Sequence, residues 1–188
     1  MKNILLISFV FVCFSLATSA QIGKRFPSER KVIKDPVTGT ELIFLTTQQG
    51  MGDSKIYQTH NQWTADGQWL IFRSNRVQGE AMAVHETTGE MVQVSEGGFI
   101  GMLNIGRKNM VLHFMRPVTD DNSSGRRVEN RPIQIIEVDL AKLFADSRAG
   151  TLRDASYYQK VCGVTPASIG AGGDMAVDAN EDVAYFRV

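Results

Sequence analysis

The sequence predicts an all-β chain: a β-propeller, represented by about three blades of its N-terminal portion. Three observations predict it. First, a strand, a Thr-Gly turn and a second strand recur. Residues 31–47 read KVIKDPVTGTELIFLTT and residues 82–98 read MAVHETTGEMVQVSEGG, with the turn glycines Gly39 and Gly89 50 residues apart. Second, residues 63–75, WTADGQWLIFRSN, read as two strands joined by a tight Asp66-Gly67 turn. Third, that unit returns at 104–116, NIGRKNMVLHFMR, where Met110 falls 41 residues after Trp69, and again at 176–188, AVDANEDVAYFRV. Such units bury little apolar surface singly and become stable by stacking on neighbours.

In chain order, the Thr-Gly phrase fits the third and fourth strands of a blade, and the Asp-Gly phrase fits the first and second. The chain therefore opens with a third–fourth pair at 31–47. A whole blade follows, then a blade with an insertion, then a first–second pair at 176–188. The third Asp-Gly copy starts 72 residues after the second. A blade takes about 40 to 45 residues, so roughly 30 residues are inserted. The polar run 119–131 and the segment 143–158 account for them. Propellers need four or more blades, so the expectation is a chain truncated at its C-terminal side. A small open β-sandwich is the competing architecture.

Residues 1–20 read as a secretory signal peptide: Lys2, an apolar run over 4–16, and small residues 17–20 before Gln21. The domain is then 21–188, with no stable membrane anchor after cleavage and a periplasmic or secreted destination. An uncleaved anchor is the alternative. Val10-Phe11-Val12 are too bulky before Cys13 for lipoprotein processing. Cleavage leaves Cys162 alone, which excludes an internal disulfide, and Cys162 is expected as a small buried side chain. Lys plus Arg and Asp plus Glu number 20 each, for a net charge of +0. Nothing in that balance points to nucleic acid.

First strands line a propeller's channel, so the segment entering the first Asp-Gly hairpin is where chemistry is expected. It runs from Gly50 and Gly52 through Tyr57, Gln58, Thr59, His60, Asn61 and Gln62 to Trp63. Strand alternation puts Gln58, His60 and Gln62 on one face, and Tyr57, Thr59, Asn61 and Trp63 on the other. His60 could act as general base, metal ligand or hydrogen-bond donor, and Tyr57 is the second catalytic candidate. Asn61 and Gln62 are candidate substrate contacts.

Arg73, Arg116 and Arg187 end the second strand in three units, and Arg76 follows Arg73. Arginine grips carboxylates through two parallel hydrogen bonds, so Arg73 and Arg116 are candidate contacts to an acidic sugar. Blade-edge salt bridging is the alternative for them. His113, among apolar neighbours, reads as a satisfied core histidine. His85 reads as solvent-facing before its turn, and Asp66 and Asp178 read as turn residues.

Stronger motifs are absent: no phosphate loop, Gly-x-Ser-x-Gly, His-Glu-x-x-His or Cys-x-x-Cys. Gly170-Ala171-Gly172-Gly173 reads as a loop entering a channel strand. Residues 139–147, DLAKLFADS, are expected as a surface helix. Asn122-Ser123-Ser124 matches a glycosylation acceptor weakly.

WTADGQWLIFRSNR resembles the strand–turn–strand unit of TolB-like propellers, a framework motif without chemistry. More specifically, 35–46 (DPVTGTELIFLT), 57–72 (YQTHNQWTADGQWLIF), 81–97 and 168–188 resemble, in order, the N-terminal half of oligogalacturonate lyases. The resemblance implies a seven-bladed propeller that cleaves uronate oligosaccharides by β-elimination, with an acidic oligosaccharide as partner. It also implies a divalent metal, manganese, held by histidines of later blades. No metal ligand is carried over to this chain, which alone is expected to be inactive. Two other readings remain: a non-catalytic TolB-like binding module of the periplasm, and the propeller of a serine peptidase. Oligomeric state is not legible.

Overall fold

The computed structural model describes residues 21–118, 132–165 and 175–186. The leader (1–20), the polar run 119–131 with Asn122, the glycines 170–173 and Arg187 lie outside the described residues. Thirteen strands and two helices make up the described part, and the strands pair antiparallel throughout.

The N-terminal Thr-Gly phrase forms a hairpin of β2 (Lys31–Lys34) and β3 (Glu41–Phe44), a sheet of two strands. Its turn is built by Asp35, whose Oδ1 accepts the N–H groups of Val37 and Thr38 at 2.7 and 2.9 Å. Gly39 supplies the positive φ of 74° that closes it.

The next sheet holds β1 (Arg25–Phe26), β4 (Ser54–Lys55), β5 (Trp69–Arg73), β6 (Ala81–His85) and β7 (Met91–Gln93), in the order β1-β7-β6-β5-β4. The Asp-Gly hairpin is present. Trp63 bridges Leu70, the Thr64 N–H donates to Trp69 O at 3.0 Å, and Asp66 Oδ1 accepts the Thr64 hydroxyl at 2.6 Å. β1 adds an outer strand that the repeat pattern does not contain. His85 closes the β6–β7 turn by accepting the N–H groups of Thr87 and Thr88 on Nδ1. Its ring stands edge-on to Trp69, with centroids 4.9 Å apart.

The third sheet has four strands in the order β11-β10-β9-β8: β8 (Ile100–Ile105), β9 (Val111–Pro117), β10 (Ile133–Asp139) and β11 (Gln159–Val164). The insertion is thus divided, with 119–131 between β9 and β10 and two helices between β10 and β11. β12 (Met175–Val177) and β13 (Ala184–Phe186) form the last hairpin. Asp178 holds its turn by accepting the N–H groups of Asp182 and Val183 on Oδ1. The order is therefore a hairpin, a blade, a blade with an insertion and a hairpin.

One expectation is corrected at the insertion. The helix α1 (Leu140–Ala149) is not a surface helix, because Leu140, Leu143, Phe144 and Ser147 are buried. Phe144 stacks on Trp69 with centroids 4.1 Å apart, which joins the helix to the main core beside Leu112, Phe114 and Val138. Asp139 caps its start through the Lys142 N–H at 3.0 Å, and Gly150 ends it with φ 70°. The short α2 (Ala155–Tyr158) follows. Among the described residues no helix is long and apolar enough to cross a membrane.

Candidate functional site

The segment before the Asp-Gly hairpin is not the continuous strand that alternation required. β4 ends at Lys55, and the chain then turns, with the His60 N–H donating to Tyr57 O at 2.9 Å. A strand would put Tyr57 and His60 on opposite faces. The turn puts them side by side, edge-to-face with ring centroids 6.1 Å apart. Tyr57 is 53% exposed and His60 half-buried. The His60 Nδ1 lies 3.4 Å from Thr59 Oγ1.

Two cavities open where this turn meets β8 and the β12–β13 hairpin. One has a volume of about 670 Å³ and is walled by Tyr57, His60, Met102, Met175, Ala176, Tyr185 and Phe186. The other has about 520 Å³ and is more polar, with Thr59, His60, Asn61, Asn104, Arg107, Lys108 and His113 in its wall. His60 and Ala176 belong to both. These volumes lie in the range that takes small organic ligands.

Several polar groups of the second cavity are already committed. Asn61 is a stitch: its Nδ2 donates to Trp63 O at 2.7 Å and to Ile105 O at 3.3 Å, and its Oδ1 accepts the Trp63 N–H. Glu181 accepts the backbone N–H groups of Arg107, Lys108 and Asn109 and the Asn109 side-chain amide. Burial alone would raise the Glu181 carboxyl, but these donors hold it below the usual range. Lys108 Nζ donates to Asn180 Oδ1 at 2.8 Å. Asn104 differs: its Nδ2 is buried and has no hydrogen-bond partner among the described residues.

The remaining sequence candidates lie elsewhere. Gln62 lines neither cavity; its carbonyl accepts the Ile71 N–H. Arg73 Nη2 donates to Gly101 O at 2.7 Å and its guanidinium lies over Phe99. Arg116 donates Nε and Nη2 to Gln134 Oε1 and Nη1 to Glu96 O. Both arginines fasten chain segments together.

His113 is buried as expected, with Nε2 3.1 Å from Glu137 Oε2 across the β9–β10 pair, and its ring reaches the second cavity. Cys162 is corrected: it is exposed, because β11 is the outer strand of its sheet. Its thiol is nonetheless pushed up, by partial burial and by the Glu137 carboxylate. Glu137 and Asn104 were not found by sequence reasoning. The available signal for Asn104 was its standing as the one polar side chain in IGMLNI (Ile100–Ile105). Among the described residues no three His, Cys, Asp or Glu side chains converge to hold a metal ion.

No family model matches the chain, and no curated protein matches it. Among solved structures, it is similar to an oligogalacturonate lyase in complex with manganese, with a TM-score of 0.60 at 20% identity. That match covers 86% of this chain and 36% of the other. An oligogalacturonate lyase from Vibrio parahaemolyticus gives a TM-score of 0.39 at 12% identity, over 79% of this chain and 50% of the other. The chain thus spans about a third and a half of the lengths of these two. The first likeness shows the fold, which is all-β and propeller-like.

Proposed function

We propose that this chain is part of a secreted or periplasmic lyase that cleaves uronate-containing oligosaccharides by β-elimination. The observation that carries this reading is the position of His60: it is shared by both cavities, with the Tyr57 ring against it. In such a reaction His60 takes the proton from C5 of a uronate, next to the sugar carboxylate. The C5 electron pair forms the C4–C5 double bond as the C4–O4 bond breaks. The Tyr57 hydroxyl gives its proton to the departing oxygen and regains one through solvent. The aromatic rings of Tyr57, Tyr185 and Phe186 offer apolar faces to a sugar ring.

Manganese accompanies the solved lyase. Such an ion would neutralise a uronate carboxylate. The described residues do not fit it, since none of them form a ligand cluster, so no step of this mechanism runs through a metal. The apolar leader at 1–20 supports export.

The test is to assay the full product of the gene on oligogalacturonate, with and without manganese, following the absorbance of the unsaturated product. A rise in absorbance supports the lyase. Binding of the oligosaccharide without elimination supports instead the non-catalytic binding module, and neither outcome leaves room for both.

A further inference from the structure

We propose that Gln21, as the first residue of the exported chain, is a modification site that closes on itself to a pyroglutamyl lactam. Export belongs to the reading above and is taken from it. The lactam follows from how the fold uses residues 21–24.

The fold grips this segment from Ile22 onward. Ile22 is fully buried in the main core, and its N–H donates to Glu96 Oε2 at 2.8 Å. The Gly23 N–H donates to Gln93 O at 2.8 Å, and the Gly23 carbonyl accepts the Ser147 hydroxyl at 2.7 Å. Gly23 has a φ of 84°, and the Lys24 N–H donates back to Gln21 O at 3.0 Å, which closes a tight turn over 21–24. Gln21 itself is divided. Its carbonyl belongs to the turn. Its backbone nitrogen and its side-chain amide make no hydrogen bond among the described residues, and the residue is exposed.

The leader ends in the small residues Ala17-Thr18-Ser19-Ala20, a pattern that a signal peptidase cuts. A cut before Gln21 leaves no loose tail ahead of the turn, whereas a cut two residues later would remove Ile22 from the core. It also places a free α-amine on the residue that carries a side-chain amide. An α-amine titrates near neutral pH, so part of it is unprotonated and nucleophilic. Its nitrogen attacks Cδ of the same side chain. The N–Cδ bond forms and closes a five-membered ring. The Cδ–Nε2 bond breaks, and the side-chain nitrogen takes a proton from the amine and leaves as ammonia. No oxidant, reductant or cofactor is consumed. The two groups used are those the fold leaves idle, and the carbonyl that holds Lys24 is untouched. The product carries no terminal charge and offers no amine to an aminopeptidase.

The experiment expresses the full gene product with its own leader in an exporting bacterial host. The purified protein is digested with trypsin, and its first peptide is weighed. The expected peptide is 21–24, one ammonia lighter than its sequence. Edman degradation of the intact protein should be blocked, and a pyroglutamate-specific aminopeptidase should open it at Ile22. Q21A is expected to show the same cut, no loss of ammonia and an open N-terminus. Should Q21A escape processing, a chain whose leader is replaced by a single start Met serves instead. There the amine is not on Gln21, and no ammonia should be lost.

A Gln21 N-terminus that Edman degradation reads directly overturns the lactam. So does a first residue other than Gln21, or loss of ammonia from the Met-started chain. The two readings fail separately. Elimination of oligogalacturonate by a preparation with an open Gln21 removes the lactam and keeps the lyase. A blocked Gln21 on a protein that eliminates nothing does the reverse.

Discussion

The Nη2 of Arg76 stands 2.8 Å from each carboxylate oxygen of Glu29, 47 residues earlier in the chain. Its Nη1 contacts Asp53 and donates to Ser74 Oγ. Glu29 in turn accepts the N–H groups of Thr47 and Gln48, at 2.8 and 2.9 Å. One arginine therefore ties the segment flanking the β2–β3 hairpin to the first complete blade. This is the arginine next to Arg73, the one singled out for substrate, and its side chain is only 4% exposed.

Removing one partner of a buried ion pair leaves the other charge uncompensated. R76L is therefore expected to destabilise the fold by about 3 kcal/mol. Urea unfolding of R76L, E29Q and the double variant measures it, and the double variant should cost less than the two singles combined. The pH dependence has a definite sign. Burial would raise the Glu29 carboxyl, but Arg76 and the two N–H groups hold it below the usual range. The stabilisation is present above about pH 4.3, the ordinary carboxylate value, and is lost as pH falls through the lower folded value. Purely additive costs for the two substitutions would show that the pair is not coupled.

Glu80 behaves in the opposite sense. It is 6% exposed, accepts the Ser95 hydroxyl at 2.6 Å and the Gly98 N–H at 2.8 Å, and forms no ion pair among the described residues. Burial pushes its carboxyl up, more than the Ser95 and Gly98 bonds pull it down, and the nearby Glu96 adds to the rise. Folding then favours the protonated form. Stability is complete below about pH 4.3 and declines as pH rises, because the unfolded chain gives up that proton first. E80Q removes the titration. The stability of the parent relative to E80Q should fall as pH rises from about 4 to 7. Urea midpoints across that range measure it, and parallel curves for the two proteins would count against the assignment.

Glu181 links two repeat units. Its carboxylate gathers three backbone N–H groups of the β8–β9 turn, while its own backbone holds a φ of 67°. E181A keeps the backbone cost and loses the bonds, so it should destabilise by about 2 kcal/mol. E181G relieves the backbone by about 1 kcal/mol and should lie between E181A and the parent. Thermal unfolding orders the three. An alanine variant as stable as the parent would mean that the carboxylate contributes nothing.

The order of the units was legible because turn chemistry is local. Asp35 with Gly39, Asp66 with Gly67, and His85 with Gly89 each close a hairpin from within a few residues. The stretch 57–62 was misread because its polar residues fit alternation, and nothing local announces the turn between Tyr57 and His60. The helix over 140–149 was recognised as a helix but misplaced. Its apolar face is visible in sequence, whereas its contact with Trp69, across two sheets, is not. The pairing of His113 with Glu137 and the enclosure of Asn104 depend on which strands become neighbours. A single sequence without its folded register does not carry that information.

His60 and Tyr57 are poorly tied to the framework, which makes their catalytic assignment testable without a folding artefact. Among the described residues the His60 ring makes one long hydrogen bond, to Thr59, and an edge contact with the Tyr57 ring, which is itself 53% exposed. In the full gene product, H60Q is expected to lower kcat on oligogalacturonate by about 10²- to 10⁴-fold, the usual range for a general base, with a much smaller change in KM. Y57F should lower kcat less, because solvent can supply the proton to the leaving oxygen. Neither variant should shift the thermal midpoint by more than a degree or two. If H60Q keeps its rate, the base lies elsewhere in the protein and His60 only shapes the cavity.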